Sequence, residues 1–154
     1  MKSNNIWFAP FDVSEINERA KNTLSDHLGI VFTEKGDDYL AANMPVDART
    51  IQPMGILHGG ASCALAETIG SAAANYCIDQ KKQVCVGVDI NINHIRPVNS
   101  GSITAIAKPF HLGKTTQVWE IKLYNDQKNL IAISRSLPLS LKRGVLLCSN
   151  STHR

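Results

Sequence analysis

The chain has 154 residues, 44% of them hydrophobic and 19% charged, with a net charge of +3. This fits one globular domain, taken as residues 1–143 with a tail over 144–154. No apolar run of about 18 residues occurs, and residues 1–6 lack the apolar core of a signal peptide, so a cytoplasmic protein is expected. The charge is too mild, and too evenly spread, to suggest a nucleic-acid surface. It would suit a small polyphosphate ligand.

Residues 1–11 contain Trp7, Phe8 and Phe11 and are expected to pack loosely. Asp12 and Glu15 have capping-box spacing. Val13, Ile16, Ala20, Leu24 and Leu28 then repeat at helical spacing, and Gly29 is a natural stop, so the pattern predicts a helix over 13–28. Residues 30–34 and 39–44 are β-prone around the turn Lys35-Gly36-Asp37-Asp38, which predicts a hairpin closed by Pro45. A loop over 46–57 leads to a small-residue stretch, and the spacing predicts a helix from Gly60 to Ile78.

Beyond it, Val84, Val86, Val88, Ile90 and Ile92 alternate with Cys85, Gly87, Asp89, Asn91 and Asn93. Period two predicts a long strand with one apolar and one polar face. Further strands are expected over 102–108, 116–124 and 130–141, with a loop over 109–114. Pro138 marks the last strand as an edge or an end. The order α-β-β-α-β-β-β-β, with hairpin-connected strands after the helix, suggests an α+β protein whose antiparallel sheet packs on that helix.

The helix carries alanine at 61, 64, 66, 72, 73 and 74 and a single carboxylate, Glu67. A helix without a polar face is usually buried, and a buried carboxylate is costly unless paired or functional. Cys63 at i−4 and Ser71 at i+4 share its face. His58-Gly59-Gly60 stands where the free N–H groups of a helix start can receive an anion or polarise a carbonyl. The same glycines also suit a plain tight turn. The four cysteines, Cys63, Cys77, Cys85 and Cys148, have neither disulfide-framework nor zinc spacing, and free thiols are expected. The histidines form no metal-ligand pattern, so no metal is expected. Gly-x-Ser-x-Gly and the P-loop are both missing.

The stretch Gln52-Pro53-Met54-Gly55-Ile56-Leu57-His58-Gly59-Gly60, followed by Ala66-Glu67-Thr68-Ile69-Gly70-Ser71, resembles the hotdog-fold acyl-CoA thioesterases. The resemblance is greatest to the branch of 4-hydroxybenzoyl-CoA and 1,4-dihydroxy-2-naphthoyl-CoA thioesterases, which includes phenylacetate-pathway-like members. Met44-Pro45-Val46-Asp47, Val86-Gly87-Val88-Asp89, Asn93-His94-Ile95-Arg96 and His111-Leu112-Gly113 extend it over residues 28–141. It implies a hotdog fold, an antiparallel sheet wrapped around a central helix, with an N-terminal helix added. It also implies homodimers with active sites at the interface, often paired into homotetramers.

By position, the resemblance makes Glu67 the nucleophile or general base and gives the Gly59 N–H the thioester carbonyl. Gln52 and His58 would position the carbonyl and the thiol leaving group, and Ser71 would assist water or the acyl group. Gly87, His94, Ile95, Arg96, Pro97, His111, Leu112, Gly113, Lys114, Thr115 and Thr116 match segments that hold coenzyme A. Pro97 departs from the small polar residue expected there. Coenzyme A enters as part of the substrate, and no cofactor, nucleic acid or membrane partner is implied. The expected reaction is hydrolysis of an aromatic acyl-CoA, with 1,4-dihydroxy-2-naphthoyl-CoA in menaquinone synthesis as one candidate and a broad range as another. The alternatives are a non-catalytic acyl-CoA-binding protein and an acyl-thioester hydratase or dehydratase.

Overall fold

Residues 5–144 are described by the computed structural model. The cap expected at Asp12 is formed. Asp12 Oδ1 accepts the Ser14 N–H at 2.8 Å, and the Glu15 carboxylate accepts the Asp12 N–H at 3.1 Å. This starts α1 (Val13–Ala20), but the expected helix over 13–28 is broken. Asn22 takes φ +60° and gives its N–H to the Asp26 carboxylate at 2.9 Å. Asparagine enters the left-handed region more readily than most residues. The chain restarts as the single turn α2 (Leu24–His27), which leaves Leu24 64% exposed rather than in the apolar stripe. Gly29 ends that turn at φ +70°.

The aromatic start packs tightly, contrary to expectation. Trp7 and Phe11 are buried, the Trp7 indole donates to the Gly36 carbonyl at 2.7 Å, and Phe11 stacks on Tyr76 with centroids 3.9 Å apart. Phe8 alone of the three stays exposed.

The hairpin is present as β1 (Val31–Lys35) and β2 (Leu40–Pro45), followed by α3 (Gly59–Tyr76). Four long strands complete the fold: β3 (Gln83–His94), β4 (Ser102–Leu112), β5 (Gln117–Asn125) and β6 (Leu130–Lys142). They form one antiparallel sheet in the order β1-β2-β4-β5-β6-β3. The strands after α3 are therefore not all joined by hairpins. The link over 95–101 is tied to the β2–α3 loop, with Leu57 N–H donating to the Val98 carbonyl at 2.7 Å and Val46 N–H to that of Gly101 at 2.9 Å. This lays β4 beside β2 and leaves β3 to close the far edge against β6.

Two prolines show how the strands differ from their sequence reading. Pro109 does not end β4; the pairing shifts between Pro109 and His111, and the strand runs on to Leu112. Most of the expected loop over 109–114 is thus strand. Pro138 lies in an interior strand, not at an edge or an end. It stands opposite Gly87, where β3 bulges between Gly87 and Asp89. A proline has no N–H to donate, and an irregular stretch of the partner strand tolerates that loss.

The same bulge overturns the two-faced reading of β3. Cys85 and Gly87 face α3 before it, and Ile90 and Ile92 face the core after it. One extra residue reverses which parity points inward.

Helix α3 buries Ala61, Ser62, Leu65, Ala66, Ile69, Gly70, Ala73 and Ala74 against the concave sheet. The adjoining flank, with Cys63, Glu67 and Ser71, is only half-buried. The helix is therefore packed on one side, where small residues let the sheet close onto it at interior density. Leu65, fully buried, is central to this contact. Leu65→Ala is expected to lower the unfolding free energy by about 2–5 kcal/mol, read from urea denaturation, because the curled sheet cannot collapse into the space left.

Candidate active site

Helix α3 begins at Gly59, with His58 as its N-cap. The His58 Nδ1 accepts the Gly60 N–H at 2.8 Å, which places the proton of a neutral ring on Nε2. The N–H groups of Ala61 and Ser62 go to the His58 carbonyl. The Gly59 N–H has no acceptor within the helix, and Gly59 lines the cleft in front of it. That cleft, about 360 Å³, is lined by Gln52, Ile56, Leu57, Gly59, His94, Ile95, Arg96, Pro97 and Val98. The His94 ring lies so close to Gly59 that a Cβ there would come within 3.1 Å of its Cε1. A side chain at residue 59 would make the exposed His94 ring give by a few tenths of an ångström.

Gln52 is set by a tight turn. Its side-chain Oε1 accepts the Met54 N–H at 2.7 Å, and its carbonyl accepts the Gly55 N–H at 2.8 Å, with Gly55 at φ +76°. The turn leaves Met54 81% exposed at its tip. The loop before it is held by Asp47, whose carboxylate binds the Arg49 guanidinium and backbone N–H. Those bonds hold the Asp47 carboxyl below the usual carboxylate range.

Glu67 belongs to a second cluster. Ser71 Oγ–H donates to Glu67 Oε1 at 2.8 Å, and Ser136 Oγ–H reaches Oε2 from β6 at 3.4 Å. Gly87 of β3 covers the carboxylate, and a Cβ at that position would collide with Oε1. Ser136 is a contact that the sequence pattern misses. It falls on the inward parity of a strand whose other inward residues include Ala132 and Ser134, and nothing in its own segment marks it.

The third group closes the β4–β5 turn. Gly113 N–H donates to the Thr116 carbonyl at 3.0 Å, and Ser140 N–H donates to the Thr115 carbonyl at 2.7 Å. His111, Leu112, Lys114 and Thr115 are exposed there. Arg96, expected to face phosphate, is exposed and already gives one N–H to the Leu130 carbonyl.

So the structure unites Gln52, Gly59 and His94–Pro97 in one cleft, and Glu67, Ser71 and Gly87 in another place. Glu67 is the eighth residue after Gly59 along α3, about 12 Å of axial rise. Neither cleft holds both. Burial and the neighbouring Cys85 thiol push the Cys77 thiol up to about 12, which disfavours its thiolate as a nucleophile. Cys63, Cys77 and Cys85 are free, while Cys148 lies outside the described residues, as does the expected tail beyond Gly144. No group of three or more His, Cys, Asp or Glu among the described residues is placed to hold a metal ion. No helix among them is long and apolar enough to cross a membrane.

The profile of the Thioesterase superfamily matches residues 54–132, from the Gln52 turn into β6. The chain belongs to that superfamily. A thioesterase from Haemophilus influenzae is 44% identical, covers 89% of this chain and 95% of its own, and superposes with a TM-score of 0.87. A variant of a Pseudomonas aeruginosa thioesterase is 43% identical over 90% of this chain and 99% of its own, with a TM-score of 0.89. The PaaI protein of the phenylacetic acid degradation operon of E. coli is 25% identical over 82% and 90%, with a TM-score of 0.73. The fold is the hotdog fold expected from the helix motif, and the chain is a hydrolase of acyl thioesters.

Gly87→Ala tests the packing around Glu67. The added methyl must push the carboxylate off Ser71, and thioester turnover is expected to fall at least about ten-fold while Leu65 and the core stay packed. Turnover on a thiol-trapping assay, with near-UV circular dichroism as the control for folding, reads both.

Proposed function

We propose that this enzyme hydrolyses acyl-CoA thioesters with an aromatic acyl group, using Glu67 of one chain and the Gly59 N–H of another. The observation that carries this reading is the separation of the two groups. Attack on a thioester carbon needs the attacking atom about 3–3.5 Å away, with the oxyanion donor about 3 Å from the carbonyl oxygen. The backbone positions of Gly59 and Glu67 are about 12 Å apart along one helix, and the Glu67 carboxylate is drawn toward Ser71, one turn further from Gly59, so in one chain the two groups do not converge on one carbon. A second copy, with its helix start facing the first copy's Glu67, supplies what one chain lacks. Strand β3 supports such an assembly, since it is a twelve-residue edge strand with no strand on its outer side, where Asn75 satisfies only Cys85. Val88 and Ile95, 60% and 48% exposed, lie on or beside it. Exposed apolar edges of this length are normally covered.

In this reading the Gly59 N–H, at the positive end of α3, stabilises the oxyanion as charge develops. Glu67 either adds to the carbon itself or takes the proton of the attacking water. Gln52 and the His58 Nε2–H orient the carbonyl and the departing thiol. Ser71 holds the carboxylate or the water. The cleft at His94–Pro97, together with the exposed turn from His111 to Thr116, receives coenzyme A, with Lys114 and the remaining Arg96 donors for its phosphates. The aromatic acyl group, with 1,4-dihydroxy-2-naphthoyl-CoA of menaquinone synthesis as the first candidate, rests on the sequence resemblance and on the likeness to PaaI. Pairing of dimers into a tetramer and a cytoplasmic location belong to the same reading.

Glu67→Gln is expected to lower kcat at least about 100-fold on every acyl-CoA that the native enzyme hydrolyses, in a panel of aromatic and aliphatic thioesters. Undiminished thiol release would sink the mechanism. Tight binding without release by the native protein would leave a binding protein instead, and water addition to an enoyl-CoA would reveal a hydratase.

The shared site has its own test. Gln52→Ala and Glu67→Gln proteins, each nearly inactive, are unfolded, mixed one to one and refolded. Half of random dimers are mixed, and each mixed dimer has one intact site of two, so about a quarter of native activity is expected to return. No recovery in verified mixed dimers means that both groups act within one chain.

A further inference from the structure

Glu67 is held from two sides, and only one of them was legible in the helix. Oε1 takes the Ser71 hydroxyl at 2.8 Å and lies under Gly87. Oε2 faces Ser136, whose hydroxyl is 3.4 Å away across the gap between α3 and β6. Ser136 is fully buried, in register with Trp119 on one side and Ile90 on the other.

A serine in that place needs a reason, because a buried hydroxyl is costly unless it finds an acceptor. Its neighbours of the same parity have theirs elsewhere. Ser134 Oγ–H donates to the Asn91 carbonyl at 2.8 Å, and Ser140 Oγ lies 3.2 Å from the Cys85 sulfur. For Ser136 the acceptor is Glu67. Helix α3 is shaped to allow the contact: residue 70 is glycine, and a Cβ there would come within 3.3 Å of both Ser136 Cβ and Oγ. Backbone of α3 and side chain of β6 thus approach one turn from the carboxylate.

Resting on the reading of Glu67 as the reacting group, we infer that Ser136 is a positioning residue that fixes the plane of the Glu67 carboxylate and presents Oε2 as its reacting oxygen. Ser71 alone holds one oxygen and leaves the carboxylate free to turn about its terminal torsion, which is broad in glutamate. A second donor on the other oxygen removes that freedom. Ser136 touches no substrate; it acts through Glu67. Its loss therefore lowers the rate of the bound complex and leaves substrate binding alone.

The test is Ser136→Ala, a change of one buried hydroxyl. Expected are a fall in kcat of about ten-fold, the scale of one hydrogen bond to a charged group, and a KM within about two-fold of native. A melting temperature within a few degrees of native shows that the core is kept. In the Glu67→Gln background the same change should cost nothing further in residual turnover, because the group it positions is gone. An unchanged kcat in folded Ser136→Ala overturns the inference, and so does an equal loss in both backgrounds. If the alanine variant does not fold, Ser136→Cys serves. Its weaker donor should give an intermediate kcat, and a native kcat again overturns the inference. Native turnover by Glu67→Gln alone is a separate result: it removes the role of Glu67 itself, and the positioning role with it.

Discussion

Everything at the proposed site depends on how closely β3 is drawn onto α3. Asn75 does this with one side chain. Its amide donates to the Cys85 carbonyl and to the Ser71 carbonyl, and its oxygen accepts the Cys85 N–H, each at 2.9 Å. The side chain thus acts as a short length of partner strand, satisfying backbone groups that an inward-bent edge would leave bare. Two residues on, Gly87 meets Glu67 with no side chain between them. The carboxylate is then enclosed by α3, β3 and β6 at once, although it remains only half-buried in the single chain.

The second requirement is small residues on the sheet-facing side of α3. Gly70 lets Ser136 in, and Ala66, Ala73 and Ala74 let the strands curl round the helix. Packing and chemistry use the same helix on different flanks. The buried flank provides the hydrophobic contact that holds the fold. The half-buried flank, Cys63-Glu67-Ser71, carries the polar groups. A helix uniformly buried could not offer a reacting carboxylate to anything, and one uniformly polar could not seat a sheet.

Much of this was legible in the sequence, because it is local. The capping box at Asp12, the hairpin over 30–45, the small-residue helix and the Glu67–Ser71 pair all follow from spacing within a few residues. The errors arise where a distant partner decides. Asn22 breaks α1 because the Asp26 side chain rewards the left-handed turn. Pro138 sits inside the sheet because its opposite number is a bulge. The place of β3 beside β6 depends on hydrogen bonds between two loops, at Val46 and Leu57, which no periodicity reports. The chemistry shows the same division. The helix motif names Glu67 and Gly59, while Ser136 is 69 residues from its partner and invisible until β6 is laid against α3.

The bulge in β3 also sets how the gene can change there. Val88 is the residue left over between Gly87 and Asp89. Removing it would make the pairing with β6 regular and put Cys85, Gly87, Ile90 and Ile92 on one inward parity, but it would also remove the irregularity opposite Pro138. Adding one residue between Cys85 and Gly87, or between Asp89 and Ile90, would instead turn Cys85, or Ile90 and Ile92, away from the core. Changes of length in steps of two preserve both inward sets. An edge strand is ordinarily the part of a sheet most forgiving of insertions and deletions. Outside Val88, this one is bound to a reading frame of two residues, measured from the glycine above the carboxylate.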